Sequence, residues 1–262
     1  MHFFGTVSFT SVVFMLVAAL CAGFVDAIAG GGGLIQLPAL LIGLPQSSVV
    51  QILGTNKLSS FFGTTAAALM YRRRMKPDLR FIFAMAIPAF FGSMSGALLA
   101  AHIPTHALRP IVLVLLIAVA LFTWIRPSLG EVELLRHTPQ RRMLIAIIAG
   151  AVIGFYDGIF GPGTGTFLML VLVALLGFAF LTASSIAKVV NVSTNLGAIV
   201  VFGLHGVILW RLGLVLAVAN VSGGIFGAHI AILGGSALVR RVFLVVTLVL
   251  IIKVGMDTVA HW

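Results

Sequence analysis

The chain has a single cysteine and only six acidic residues among 262, and each scarcity excludes something. Cys21 alone cannot form a disulfide within the chain or supply a multi-cysteine metal site. Charged residues make up 8% of the sequence, where soluble domains carry about 25%. With 61% hydrophobic residues, a water-soluble fold could not cover the apolar surface. No Gly-x4-Gly-Lys-[Ser/Thr] run occurs, so ATP is not the direct energy source. No His-Glu-x-x-His run offers a zinc site. Only His2 precedes the first apolar stretch, so the basic region that opens a secretory leader is missing. In Ala18-Ala19-Leu20-Cys21, Leu20 is too large for a lipoprotein cleavage site. That stretch is expected to belong to the mature protein.

What the chain does have is a duplication. Gly23-Phe24-x-Asp26-x-Ile28-x-Gly30-x-Gly32 recurs 131 residues later as Gly154-Phe155-x-Asp157-x-Ile159-x-Gly161-x-Gly163. The register holds without a gap: Lys57 matches Lys188, Arg80 matches Arg211, Gly92 and Gly96 match Gly223 and Gly227, and Arg109 matches Arg240. A duplicated unit in an apolar chain suggests a transporter.

A helix crosses the hydrocarbon with about 20 apolar residues. Candidate spans cover roughly 8–44 (broken), 48–71, 79–102 and 106–125, then 141–177 (broken), 181–203, 209–234 and 239–258. The expected fold is all-α and polytopic. About eight segments form two four-segment repeats, 1–125 and 141–262, joined by a cytoplasmic linker at 126–140. The 16 Lys and Arg against six Asp and Glu lie between apolar runs, so they read as topology determinants rather than a nucleic-acid surface. Arg72, Arg73, Arg74, Lys76 and Arg80 form one cluster, and Arg126, Arg136, Arg141 and Arg142 another. Both are expected in the cytoplasm, and eight crossings then put both termini there. Four crossings per half make the repeats parallel, whereas one re-entrant segment miscounted as a crossing makes them inverted.

As one helix, residues 8–44 would be about 55 Å long, so the segment must break or turn back. Gly30, Gly31, Gly32 and Gly33 mark the first break. Gly161-Pro162-Gly163-Thr164-Gly165 marks the second. Irregular backbone at membrane depth survives only inside protein or beside a wet cavity. Its free N–H groups, beside the new helix starts at Leu34 and Thr166, would cradle an anion. The plainer role of glycine, close helix packing, suits Gly92/Gly96 and Gly223/Gly227.

Asp26, Lys57, Asp157 and Lys188 fall inside apolar spans, each at a cost of about 2.5–3.5 kcal/mol. Asp and Lys are 31 residues apart in both halves. One reading makes them structural ion pairs. The other gives each Lys to an anionic substrate and each Asp to hydrogen bonding or proton coupling. Lys57, Ser60 and Thr64 share a helix face, as do Lys188, Asn191 and Asn195. Asparagine amides can donate to an oxyanion, which makes the second stripe the better anion partner. His102, His205 and His229 have no histidine counterpart in the other repeat and read as loop-edge or internally bonded residues. Arg109 and Arg240 sit near span ends, and the three Trp read as interfacial anchors.

The run from Gly23 to Pro38, with Gly30 to Gly33 at its centre, resembles the signature of the TauE/SafE family of sulfite and organosulfonate exporters. Leu44-Pro45 and Gly54-Thr55-Asn56-Lys57 resemble its continuation. Gly154 to Gly165 resembles its second copy. The resemblance covers nearly the whole chain. It implies a bacterial inner-membrane, multi-pass permease of seven or eight spans that moves small sulfur-containing anions. From the glycine breaks, the intramembrane charges and the polar stripes, the expected substrate contacts are Gly30, Gly31, Gly32, Gly33, Lys57, Gly161, Gly163, Thr164, Lys188, Asn191 and Asn195, with Asp26 and Asp157 as coupling or structural partners.

The expected function is a secondary transporter, working as an exporter, of a small sulfur oxyanion such as sulfite or a short organosulfonate. Its partners are that anion and membrane lipid, with no nucleic acid, cofactor or metal, and a homo-oligomer is left open. An interior-negative potential favours anion exit by about 2.3 kcal/mol per charge at 100 mV. A passive anion channel is the alternative. An intramembrane hydrolase is the remote one: Ser93-Met94-Ser95-Gly96 with His102 lacks the glycine two residues before the serine, and an enzyme needs no duplicated polar groups.

Overall fold

The computed structural model describes residues 2–4, 7–100, 130 and 132–259. The span expected at 106–125, with His102, Arg109, Arg126 and Pro127, lies outside them. A short antiparallel ribbon pairs β1 (His2–Phe4) with β2 (Val7–Ser8), and every other described element is helical. The first half holds α1 (Phe9–Ala29), α2 (Gly33–Gly43), α3 (Val49–Arg74) and α4 (Leu79–Leu99). The second holds α5 (Pro139–Ile159) and α6 (Thr164–Leu170), which continues into a wider π turn at Val171–Leu175. Then come α7 (Phe180–Leu204) and α8 (Trp210–Val259), the latter interrupted at Gly235 by non-helical backbone. Five of the described helices are long and apolar enough to cross a membrane: Phe9–Ala29, Leu79–Leu99, Pro139–Ile159, Phe180–Leu204 and Trp210–Val249.

Local chemistry sets the boundaries. Ser48 starts α3 with a capping box: its hydroxyl accepts from Gln51 N–H at 3.3 Å, and Gln51 Oε1 accepts from Ser48 N–H at 3.0 Å. Thr138 caps α5, and Pro139 follows at the first helical position, where its missing N–H costs nothing. Arg72, Arg73 and Arg74 occupy the last turn of α3, where positive charge suits the helix C-terminus.

Each long broken segment is a hairpin. A Cβ placed on Gly32 would meet Ala22 O and Asp26 Cβ, and one on Gly43 would meet Met15 Sδ, so α2 folds back along α1. With 11 residues, α2 is about 16 Å long, too short to cross. In the second half Arg136 Nη1 donates to Ala174 O at 2.6 Å and Leu134 N–H to Gly177 O at 2.9 Å, so the α6 segment returns to the start of α5.

Neighbour contacts fix the helix directions. Leu20 O meets Gly223 and Phe24 O meets Gly227, so α1 and the first part of α8 run the same way. Leu209 N–H bonds Thr55 Oγ1, Leu58 meets Gly213 and Gly63 meets Asn220, so α3 runs that way too. Only residues 75–78 separate α3 from α4, which turns back. Met85, Ala89 and Ser93 carbonyls meet Gly150, Gly154 and Gly158 in order, so α5 follows α4. The α1–α2 hairpin and the α5–α6 hairpin therefore enter from opposite ends.

The packing repeats at the same offset as the sequence. Gly223 on Leu20 and Gly227 on Phe24 correspond to Gly92 on Ala151 and Gly96 on Phe155. At these four glycines a Cβ would fall between 2.0 and 2.4 Å from a backbone oxygen of the facing helix. Lipid tails give no hydrophobic drive between helices, so small residues that let backbones approach carry the contact. The first helix of each half packs on the fourth helix of the other, and the halves interlock.

One end of the bundle is basic. Lys76, Asp78, Glu133, Pro139, Arg142 and Thr182 line one cavity of about 440 Å³ there, bringing both basic clusters to one face. Ser8, Ser11, residues 42–47 and 209–212 surround a second cavity of about 560 Å³ at the other end. Trp210 lines it, half exposed, as an interfacial aromatic does.

Candidate substrate site at the hairpin tips

The first hairpin turns at Gly30, whose φ of 81° lies in the left-handed region that glycine adopts without strain. A helix end leaves its last four carbonyls without intrahelical partners, and lipid supplies none. All four at the end of α1 are taken. Asp26 O accepts from Gly30 N–H and from Lys188 Nζ. Ala27 O accepts from Tyr71 OH at 2.9 Å, Ile28 O from Ser184 Oγ at 3.2 Å, and Ala29 O from Thr166 Oγ1 at 3.2 Å. Three of these four side chains belong to the second half, so one half seals the break of the other.

The second hairpin turns at Gly161, with φ of 87°. Thr164 Oγ1 donates to Asp157 Oδ1 at 2.6 Å, with Gly161 O also 2.7 Å away. Tyr156 OH donates to Pro162 O. Both tyrosines of the chain thus hold break backbone. The two tips touch: a Cβ on Gly30 would lie 2.3 Å from Gly165 C, and one on Gly33 would lie 3.6 Å from Pro162 Cα.

Lys57 and Lys188 are both paired, and both pairs cross between halves. Lys57 Nζ lies 2.6 Å from Asp157 Oδ2, and Lys188 Nζ lies 2.9 Å from Asp26 Oδ2. The equal 31-residue separations do not mark partners within a half. The pairs differ in access. The Lys57 and Asp157 side chains are 4% and 2% exposed, whereas Asp26 is 15% exposed against 0% for Lys188. Thr64 Oγ1 lies 3.5 Å from Asp26 Oδ2, so the first stripe reaches its own half's aspartate.

The other expected site residues fall near these pairs with varying contact. Gly31 and Gly32 are buried, and Gly163, the residue immediately before α6, also has a positive φ of 83°. Asn191 and Asn195 are buried on the Lys188 face of α7, and Asn191 Oδ1 accepts from Thr194 Oγ1 at 3.2 Å. Among the described residues no hydrogen bond joins either asparagine to a hairpin. His205 Nδ1 lies 2.8 Å from Val201 O, one helical turn back, as an internally bonded residue should. His229 is exposed on α8.

Sequence reasoning missed Tyr71, Ser184 and Thr166, which close the α1 carbonyls. It also missed the buried amide pair in which Asn220 Nδ2 donates to Gln36 Oε1 at 2.8 Å. Tyrosine count was the available signal: with two in 262 residues, each is a rare polar tip in an apolar chain. Gln36 Nε2, Asn56 Oδ1 and Ser59 Oγ are buried without a hydrogen-bond partner.

Discontinuous helices with charged residues at their breaks, on an apolar polytopic scaffold, define a membrane transporter. The model of the sulfite exporter TauE/SafE family matches residues 15–254, and the chain belongs to that family. It is 39% identical over 251 residues to a probable membrane transporter protein, ORF9, of Sinorhizobium sp, covering 95% of this chain and 94% of the relative. It is 37% identical over 251 residues to the probable membrane transporter protein YfcA of Escherichia coli K12, covering 93% and 91%. A probable membrane transporter protein of Haemophilus influenzae is 36% identical over 248 residues, covering 93% and 95%. No solved structure matches the chain.

Proposed function

We propose that the chain is a secondary transporter that exports a small sulfur oxyanion, such as sulfite or a short organosulfonate, across the bacterial inner membrane. The observation that carries this reading is the pair of cross-half Lys–Asp bridges at the tips of two oppositely inserted hairpins. A carrier must expose one site to either side in turn, and two hairpins from opposite ends supply two gates around it. The bridges supply the cations, and the glycine breaks supply peptide N–H groups.

The anion is assigned to Lys188, Asn191 and Asn195, lined by Gly30, Gly31, Gly32, Gly33, Gly161, Gly163, Thr164 and Lys57. The Lys188 pair is favoured because its aspartate is the accessible one. Substrate competes with Asp26 for the Lys188 ammonium. Gln36, Asn56 and Ser59 offer unpaired polar atoms to a solute or its water.

The repeats are assigned an inverted rather than parallel relation, since neither hairpin makes a net crossing. With the basic face in the cytoplasm, the Ser8 end of α1 lies on the outer side. That placement replaces the cytoplasmic amino terminus expected from eight crossings.

The test is a binding screen of purified protein against sulfite, sulfate, thiosulfate, sulfoacetate and taurine. A ligand that binds the folded state raises the melting temperature by mass action. The reading expects stabilisation by at least one of the sulfur oxyanions. Stabilisation by cations or neutral solutes alone overturns it.

A further inference from the structure

The two bridges are equivalent in sequence but not in what each lysine keeps when its carboxylate is neutralised. Lys188 Nζ bonds two oxygens of Asp26, the carboxylate Oδ2 and the backbone carbonyl. That carbonyl lies in the last turn of α1, at the negative end of the helix dipole. Lys188 therefore retains a charge-complementary partner when Asp26 takes up a proton. Lys57 has Asp157 Oδ2 as its only bonded partner among the described residues. Protonating Asp157 would leave a buried ammonium without a counter-charge, the costly outcome for a buried pair. Access follows the same division: the Asp26 side chain is 15% exposed and the Asp157 side chain 2%.

We infer that Asp26 is the proton-accepting carboxylate of the transport cycle, and that Lys57–Asp157 is a fixed strut between the halves. The inference rests on the transporter reading and assigns its coupling residue. The step balances simply. One proton adds to the Asp26 carboxylate, its ionic bond to Lys188 is lost, and the pair's net charge rises from zero to +1. That charge is what an oxyanion requires, so proton and anion bind together, and linkage makes the effect reciprocal.

Among the described residues, the groups around Asp26 leave Lys188 as its one charged partner. From α3 it faces Thr64, while Tyr71 bonds the next carbonyl. From α8 the surface against α1 is Asn220, Gly223 and Gly227, with His229 exposed. Neither α2 nor α6 carries a titratable residue.

The probe is methanesulfonate, which stays ionised from about pH 5 to about pH 8, so any pH dependence belongs to the protein. Its affinity for purified wild-type protein, Asp26→Asn and Asp157→Asn is measured across that range, with the melting temperature of each. The wild type should bind more tightly as pH falls, approaching about tenfold per pH unit for one linked proton. Asp26→Asn should bind with little pH dependence and melt close to the wild type. Asp157→Asn should melt well below it. If Asp157→Asn stays folded, it should keep the pH slope. The inference is overturned if Asp26→Asn keeps the wild-type slope, or if Asp157→Asn melts like the wild type and loses the slope. Wild-type binding without a slope overturns the inference and spares the transporter reading. No binding of this probe or of sulfite at any pH, together with equal melting of the two variants, overturns both.

Discussion

Lys57, on the third helix of the first half, pairs with Asp157, at the tip of the second half's hairpin, at 2.6 Å and almost out of contact with solvent. Thr164 holds the other carboxylate oxygen at 2.6 Å. The bridge ties the halves together where both backbones are broken. Its loss should therefore be felt as stability before it is felt as function.

Removing one partner of a buried pair strands the other, at about 3–5 kcal/mol. Lys57→Met and Asp157→Asn should each lower the melting temperature strongly. The double variant Lys57→Met/Asp157→Asn should melt higher than the sum of the single losses implies, because no charge is left behind. Melting curves of the four proteins check this. Additive losses would mean that the two residues act independently.

Neighbouring glycines of the first break should differ sharply. A Cβ on Gly30 would meet the Gly165 backbone at 2.3 Å from a φ of 81°. One on Gly33 meets nothing closer than Pro162 Cα at 3.6 Å. Gly30→Ala should destabilise the protein and stop transport, and Gly33→Ala should leave the fold intact. Expression level and melting temperature read the difference.

Much of this was legible in the sequence because duplication filters noise. Asp26, Lys57 and the glycine runs stood out through their copies at 157, 188 and 161. The packing role of Gly92, Gly96, Gly223 and Gly227 followed from the spacing of four. Bridge partners were not legible. Equal spacing within each half is what either pairing pattern produces, and only the interlocked packing of α1 on α8 and α5 on α4 selects the crossed one. Hairpins were not legible either. An apolar run covering 8–44 fits a kinked crossing as well as a return, and the brevity of α2 decides between them. Tyr71, Ser184 and Thr166 lacked any local pattern because their partners are backbone carbonyls far along the chain.

The two lysines should matter unequally for substrate. Lys188 shares its helix face with Asn191 and Asn195 and bridges the accessible aspartate. Lys188→Met should lower anion affinity more than Lys57→Met, among variants that remain folded. Titration calorimetry with sulfite measures both. Equal losses would remove the asymmetry, and unchanged affinity in both would make the lysines purely structural.

Topology can be tested from outside the cell. With exposed Cys21 replaced by alanine, Gln46→Cys and Lys76→Cys place single thiols at opposite ends of the bundle. A membrane-impermeant maleimide added to intact cells should label Gln46→Cys, and should label Lys76→Cys only after permeabilisation. The reverse pattern would invert the assigned orientation. Equal labelling of both in intact cells would contradict placement on opposite sides.

The most direct test of the transporter account is efflux from liposomes containing the purified protein and loaded with sulfite or a short organosulfonate. The account predicts saturable efflux down the anion gradient that folded Lys188→Met loses. No efflux of any small oxyanion, or undiminished efflux through Lys188→Met, would contradict it.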